Sequence, residues 1–351
     1  MKAIILSLLA GTICYHVHAQ PDATKLAQDN MKITAGGTFG KPKIVPSLDK
    51  LAIAQSSIYF KTATTREVLE NERGLFGGRK SGGGSVAGRI TAYLETTDGE
   101  LTEADYQKMA DEFYQYLSAK LTAAGVTTVD WQKVAATEFY QEEGKDIEDV
   151  RKDASAMRRK GQIYTMVNAN KGSTLWKYDI TGGPSLGFAM GKIKKASRFS
   201  DDVEAPVVFM HLTVDFADIF LDGDVKTSSS REETMFYTKV TKSKNFKMDA
   251  KVGADVKVST NGASMFWNHK SQSEILNVTG DIHSDMPFAS GVSQDETKEV
   301  LRKKDNLFAK DFNMTPMVVT TTKEKYMAAA KKALENYADA FVARVKLSKK
   351  D

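Results

Sequence analysis

The chain has 351 residues, with 49 basic and 45 acidic side chains and one cysteine, Cys14. A net charge of +4 is too balanced to point to nucleic acid or to an anionic membrane surface. One cysteine excludes an internal disulfide framework, and the length is ample for an ordinary hydrophobic core.

Residues 1–19 read as a cleavable signal peptide. Lys2 supplies the positive start, residues 3–14 (AIILSLLAGTIC) are apolar or small, and Val17-His18-Ala19 puts a small residue at the cut site. The apolar run is too short to span a bilayer, which takes about 20 apolar residues. Ile13 precedes Cys14 where a lipoprotein signal needs a small residue, so cleavage after Ala19 and release to the periplasm or the exterior is expected. Cleavage removes the only thiol together with His16 and His18. The mature chain then offers no disulfide, no thiolate nucleophile and no cysteine–zinc site.

Residues 20–50 are polar, with Gly36-Gly37, Pro42 and Pro46, and read as a flexible leader. Residues 51–61 form the first expected strand, a glycine-rich loop runs from Gly74 to Gly88, and 85–96 form the next strand. Thr102 with Asp105 three residues on is a capping-box start. Tyr106, Met109, Phe113, Leu117 and Leu121 then recur at helical spacing, and Gly125 suits the end of that helix. With a short strand at Val126–Asp130 this order fits a βαβ-type crossover. A second helix is expected over 146–160, acidic at its start and basic at its end, as the helix dipole favours. Residues 162–169 and 174–181 read as a hairpin around Asn170-Lys171-Gly172. The segment 206–221 is strongly β-like, and 233–241 is a further strand. Residues 246–258 alternate without a break: Phe246, Met248, Ala250, Val252, Ala254, Val256 and Val258 on one side, with Lys247, Asp249, Lys251, Asp255 and Lys257 on the other. Asn261-Gly262 then signals a hairpin turn, with 263–267 returning. A long helix over 323–346 closes the chain.

These elements give an α+β fold: a mixed, largely antiparallel sheet packed by a few amphipathic helices. The expected regions are an α/β module over 51–200 and a β-rich region over 201–351, whose C-terminal helix packs back on the core.

Catalytic patterns are sparse. Gly183-Pro184-Ser185-Leu186-Gly187 matches the nucleophile-elbow spacing, and a triad can be drawn as Ser185, Asp255 and His283. The pattern carries little information in a glycine-rich chain, and a surface loop is the preferred reading. Gly77-Gly78-Arg79-Lys80-Ser81 fails as a P-loop because Arg79 stands where glycine is needed. His211 lies inside an apolar strand and reads as a core residue. Asp218, Asp222 and Asp224 lack the distal glutamate of a calcium loop and read as a turn. No cofactor, metal or nucleic-acid partner is expected. The thirteen-residue alternation at 246–258 also suits a membrane-inserted β-hairpin at 246–268, although charges cross the middle of its other face and a soluble curved sheet is preferred.

The strand at 51–61, the amphipathic helix ending in Gly125, the strand at 126–130, the helical start at Trp131-Gln132-Lys133-Val134 and the late alanine-rich helix together resemble α/β envelope modules. These are the modules of curli-secretion-channel-like and TolB N-terminal-like proteins. The likeness is one of layout over 51–200 plus the last helix, and the chain departs from the channel proteins in lacking their lipoprotein cysteine. It implies a non-catalytic role in the cell envelope, through an envelope partner or self-association, and transfers no functional residue. The expectation is therefore an exported binding or assembly protein, with a Ser185 hydrolase and a membrane-inserted hairpin as the alternatives.

Overall fold

The computed structural model describes residues 22–35, 41–71, 85–144, 161–175, 178–179, 183–184, 193–233, 238–260, 264–270, 272–302 and 309–349. Its helices are α1 (Ala23–Asn30), α2 (Glu103–Ala123), α3 (Trp131–Ala135), α4 (Glu138–Glu143), α5 (Ile193–Asp202) and α6 (Lys323–Ser348). The early strands are β1 (Met31–Ala35), β2 (Lys50–Asn71), β3 (Ser85–Thr96), β4 (Thr127–Thr128), β5 (Gln162–Asn168), β6 (Tyr178–Asp179) and β7 (Gly183–Pro184). The later ones are β8 (Val207–Glu233), β9 (Thr238–Thr260), β10 (Ser264–Trp267), β11 (Ser273–Val278), β12 (Ile282–His283), β13 (Gly291–Gln294), β14 (Ala309–Asn313) and β15 (Met317–Thr321).

The fold is α+β. One mixed, largely antiparallel sheet runs β1-β11-β10-β8-β2-β3-β15-β13, with β4, β5, β9, β12 and β14 joined to its members. Its parallel neighbours are β2 with β8 and β4, and β3 with β14 and β15. Both faces are covered. On one, α2 and α6 lie side by side with α1, burying Phe113, Leu117, Tyr337 and Phe341 against Ile58, Phe60, Leu212 and Val214. On the other, α3, α4 and α5 bury a smaller core in which Phe139 stacks on Phe199 over Ala52, Val207 and Phe209.

The two long helices form where the stripes and caps require. Thr102 and Asp105 make the reciprocal capping box of α2, and Gly125 at φ +77° follows its last turn in the left-handed conformation that glycine adopts freely. Thr322 caps α6 by accepting from the Lys325 amide.

Several expectations are corrected. Residues 23–35 fall in the stretch read as a flexible leader, yet they form α1 and β1, and β1 pairs with β11 at the sheet edge. Its polar composition hid Leu26, Met31 and Ile33, which are buried. The following segment is clamped by Glu274 on β11. That carboxylate is 2% exposed and accepts from the amides of Lys43, Ile44 (2.5 Å) and Val45 (2.9 Å). Asn170 and Lys171, at φ 58° and 52°, do make a tight turn, but among the described residues of 174–181 none pairs with β5. Instead β5 pairs with β2, and Tyr178–Asp179 pairs with Gly183–Pro184. The β3–α2–β4 unit is no parallel crossover, because β4 runs parallel to β2 and β3 runs antiparallel to it. The helix expected over 146–160 lies outside the described residues.

The largest difference concerns the alternating segment. Residues 246–258 belong to a longer strand, β9, whose hairpin partner is β8; the expected strand at 233–241 is split between the two, with Glu233 opposite Thr238. Of the return strand expected over 263–267, residues 264–267 pair with β8 and β11 and, like β9, run antiparallel to β8, so β10 does not fold back on β9 as a hairpin. Past the last pair between β2 and β8, Phe60 with Val214, β8 kinks at a bulge between Asp215 and Ala217. From Ala217 to Glu233 β9 is its only partner among the described residues, a ribbon of seventeen residue pairs, roughly 55 Å long at the usual strand rise.

Candidate functional site

Two places merit a functional reading: the root of this ribbon and the ribbon itself. At the root, a row of polar side chains crosses four strands in register. Lys61 on β2 meets Asp215 on β8 (Nζ–Oδ2 2.5 Å), Asp215 is opposite Lys257 on β9, and Lys257 is opposite His283 on β12. The Lys257 ammonium reaches Asp281 at 3.1 Å and Asp218 at 3.3 Å. His283 Nδ1 lies 2.5 Å from Asp255 Oδ2, and the His283 carbonyl accepts from Asn336 of α6. The alternating strand puts Asp255 and Lys257 on one face of β9, while Val256 and Val258 enter the main core on the other.

The electrostatics follow from these contacts. Hydrogen bonding to Asp255 raises the His283 pKa above its ordinary 6.5, against the opposing effect of partial burial. For the Lys257 ammonium, burial pulls its pKa down, but Asp281 and Asp218 outweigh this and leave it raised. His211 behaves in the opposite way. Packed beside Ser57 in the sheet interior, its imidazole is pushed down to about 3 by burial and is neutral at pH 7. It is the core residue its sequence context indicated.

The triad drawn from sequence is thus met in two of its three members: Asp255 and His283 form a hydrogen-bonded pair. Ser185 lies outside the described residues. The elbow would place it on a strand-to-helix turn. Here Gly183–Pro184 belongs to a two-residue ladder, and the next described helix starts at Ile193. Asp218 and Asp222 project from an extended strand instead of curling around an ion, and among the described residues no group of three His, Cys, Asp or Glu is placed to hold a metal. Lys61, Asp215 and Asp281 were not foreseen. The one available signal was Asp215, the sole acid within the apolar run 207–217.

The ribbon is two-faced. The pairs Ala217–Ala254, Ile219–Val252, Leu221–Ala250 and Gly223–Met248 share one face. Near the root, Ile219, Val252 and Ala254 pack against the main core, and beyond it Leu221 and Met248 are half-exposed. The opposite face carries Asp218, Phe220, Asp222, Lys247, Asp249 and Lys251, all exposed, Phe220 by 58%. Among the described residues no strand pairs with the outer edge of either arm over 217–233 or 238–254. No described helix is long and apolar enough to cross a membrane. Comparison with protein-family models, with curated proteins and with solved structures finds no match to this chain.

Proposed function

We propose that the chain is an exported, non-catalytic binding or assembly protein of the cell envelope, and that the β8–β9 ribbon is its working part. The observation that carries this reading is the ribbon's seventeen paired residues beyond the sheet, with no further strand on either outer edge among the described residues. A two-stranded ribbon is only marginally stable in water. Open edges present rows of N–H and C=O groups that pair readily with further strands, and soluble proteins ordinarily keep such edges short or covered. A ribbon of this length is therefore best explained by strand addition from a partner.

The test is to replace residues 223–248 by Asn-Gly, which joins the opposed Asp222 and Asp249 through a two-residue turn. Full-length and shortened chains are compared by sedimentation velocity and by co-sedimentation with phospholipid vesicles. The full chain is expected to self-associate or bind vesicles, and the shortened one to remain folded and do neither. Equal association by both, or a full chain that stays monomeric and off the vesicles, refutes the reading.

Two features favour other readings. The four apolar pairs, followed in register by Val225 opposite Phe246, cover nine residues per strand, the length of a tilted transmembrane β-strand. A membrane-inserted ribbon predicts that the protein stays with outer membranes after a salt wash; recovery only in the soluble fraction removes it. The Asp255–His283 pair supplies the base and orienting carboxylate of a serine hydrolase. That reading requires labelling by a serine-reactive phosphonate that disappears in Ser185→Ala.

A further inference from the structure

We infer that the strand added to the ribbon comes from a second copy of this chain, joined head to tail, with the β8 edge of one copy against the β9 edge of the next. The inference rests on the ribbon reading above and names its partner. What carries it is the division of charge between the two arms. Residues 217–233 hold five carboxylates and two cations, a net charge of −3, whereas residues 238–254 hold five lysines and one carboxylate, a net charge of +4. On the described part of the polar face, exposed Asp218 and Asp222 lie on the β8 side, and exposed Lys247 and Lys251, with Asp249 between them, lie on the β9 side.

Two copies can join their edges in three ways. Pairing β8 with β8, or β9 with β9, is the two-fold arrangement, and each sets two arms of like net charge side by side, which is unfavourable across strands. Pairing β8 with β9 sets acidic against basic and keeps the antiparallel alternation of the hairpin. It also leaves one open edge of each sign at the ends of the pair, so the same contact repeats. Such a contact closes into a ring where the rotation allows and otherwise grows as a filament.

The test uses full-length protein and two charge-swapped variants. D222K/D224K makes both arms basic, and K244E/K247E/K251E makes both acidic. Association is followed by sedimentation velocity and light scattering, with circular dichroism confirming the fold of each variant. The wild type is expected to form species larger than a dimer, and raising salt from about 50 to about 500 mM should weaken that association by screening the seam. Each variant alone should associate at least tenfold more weakly, and an equimolar mixture of the two should regain wild-type assembly. Variants that assemble alone as well as the wild type, a mixture that regains nothing, or a wild type that stops at two copies or is insensitive to salt would overturn the inference. The ribbon reading survives those results if the shortened chain still loses association, and falls separately if it does not.

Discussion

Glu274→Ala tests how the N-terminal segment is held to the sheet. Glu274 occupies an inward position of β11, between half-buried Ser273 and Ile275, where the strand's alternation would ordinarily place an apolar residue. It is accommodated because the amides of Lys43, Ile44 and Val45 converge on its carboxylate as a nest. Removing the carboxylate leaves these three donors without their acceptor in a site too buried for easy hydration. At about 1 kcal/mol for each, the low end for an unmade buried hydrogen bond, the loss is roughly 3 kcal/mol. Glu274→Gln keeps one carbonyl acceptor but sets an N–H group toward the donors, and an intermediate loss is expected. Urea unfolding followed by tryptophan fluorescence reads both, with Trp267 on the neighbouring strand as a reporter. A Glu274→Ala loss below about 1 kcal/mol would show that the amides find other acceptors, and the clamp argument would fail.

Three further outcomes follow from the same geometry. The Tyr326 hydroxyl is buried without a hydrogen-bond partner among the described residues, so Tyr326→Phe should be neutral or stabilising by up to about 1 kcal/mol in the same assay; a clear loss would reveal a partner. Arg89 is 1% exposed between Glu67 (2.5 Å) and Asp311 (2.8 Å), and Arg89→Ala should destabilise by about 3 kcal/mol because it removes a buried cation from both carboxylates, although Asp311 keeps Arg302 at 3.5 Å; a loss under about 1 kcal/mol would count against the buried pairing. His283 has a folded-state pKa above 6.5, so its pairing with Asp255 contributes stability that is fully present below about pH 6.5 and is lost as pH rises through the folded-state value. The stability difference between wild type and Asp255→Asn should therefore shrink from pH 6 toward alkaline pH, and a difference independent of pH would refute the linkage.

The two long helices were legible because their signals are local. The capping box of Thr102 and Asp105, the stripe from Tyr106 to Leu121 and the left-handed Gly125 all lie within one element, as do the cap and alanine-rich face of α6. Strand alternation at 246–258 was equally local and correctly marked a two-faced strand. Its partner was not legible, since Asn261-Gly262 is a strong hairpin signal and nothing nearby opposes it. The choice of β8 is a long-range pairing, made where Val256 and Val258 join the core built by Leu212, Val214 and α6. The same limit hid β1, which is polar in composition and becomes a strand only because β11, more than two hundred residues away, offers it an edge. Of the candidate site, the Asp255–His283 pair could be drawn from sequence order, whereas Lys61, Asp215 and Asp281 required knowledge of which strands are neighbours.

The row at the ribbon root gains meaning from the ribbon's two faces. A strand's side chains alternate with a period of two, so a one-residue slip of β9 against β8 would turn its whole apolar set toward the polar side. Hydrophobic packing opposes such a slip near the core but weakens along the ribbon, where the apolar face is only half covered. The root is where register can still be fixed. Asp215 binds Lys61 and also accepts from the amide of Phe216 at 2.9 Å, holding the bulge in place. Lys257, opposite Asp215, is tied to Asp218 and Asp281, and Asp255 is tied to His283. A slip by one residue would bring Lys257 opposite an apolar core position such as Val214 and break these pairs while leaving charges partly buried, a change of several kcal/mol. Ion pairs add little net stability when compared with well-packed apolar residues, and their stronger effect here is to make the wrong register costly. The arms of the ribbon can then remain open-edged and charged along their length, because their facing is settled before the strands leave the sheet.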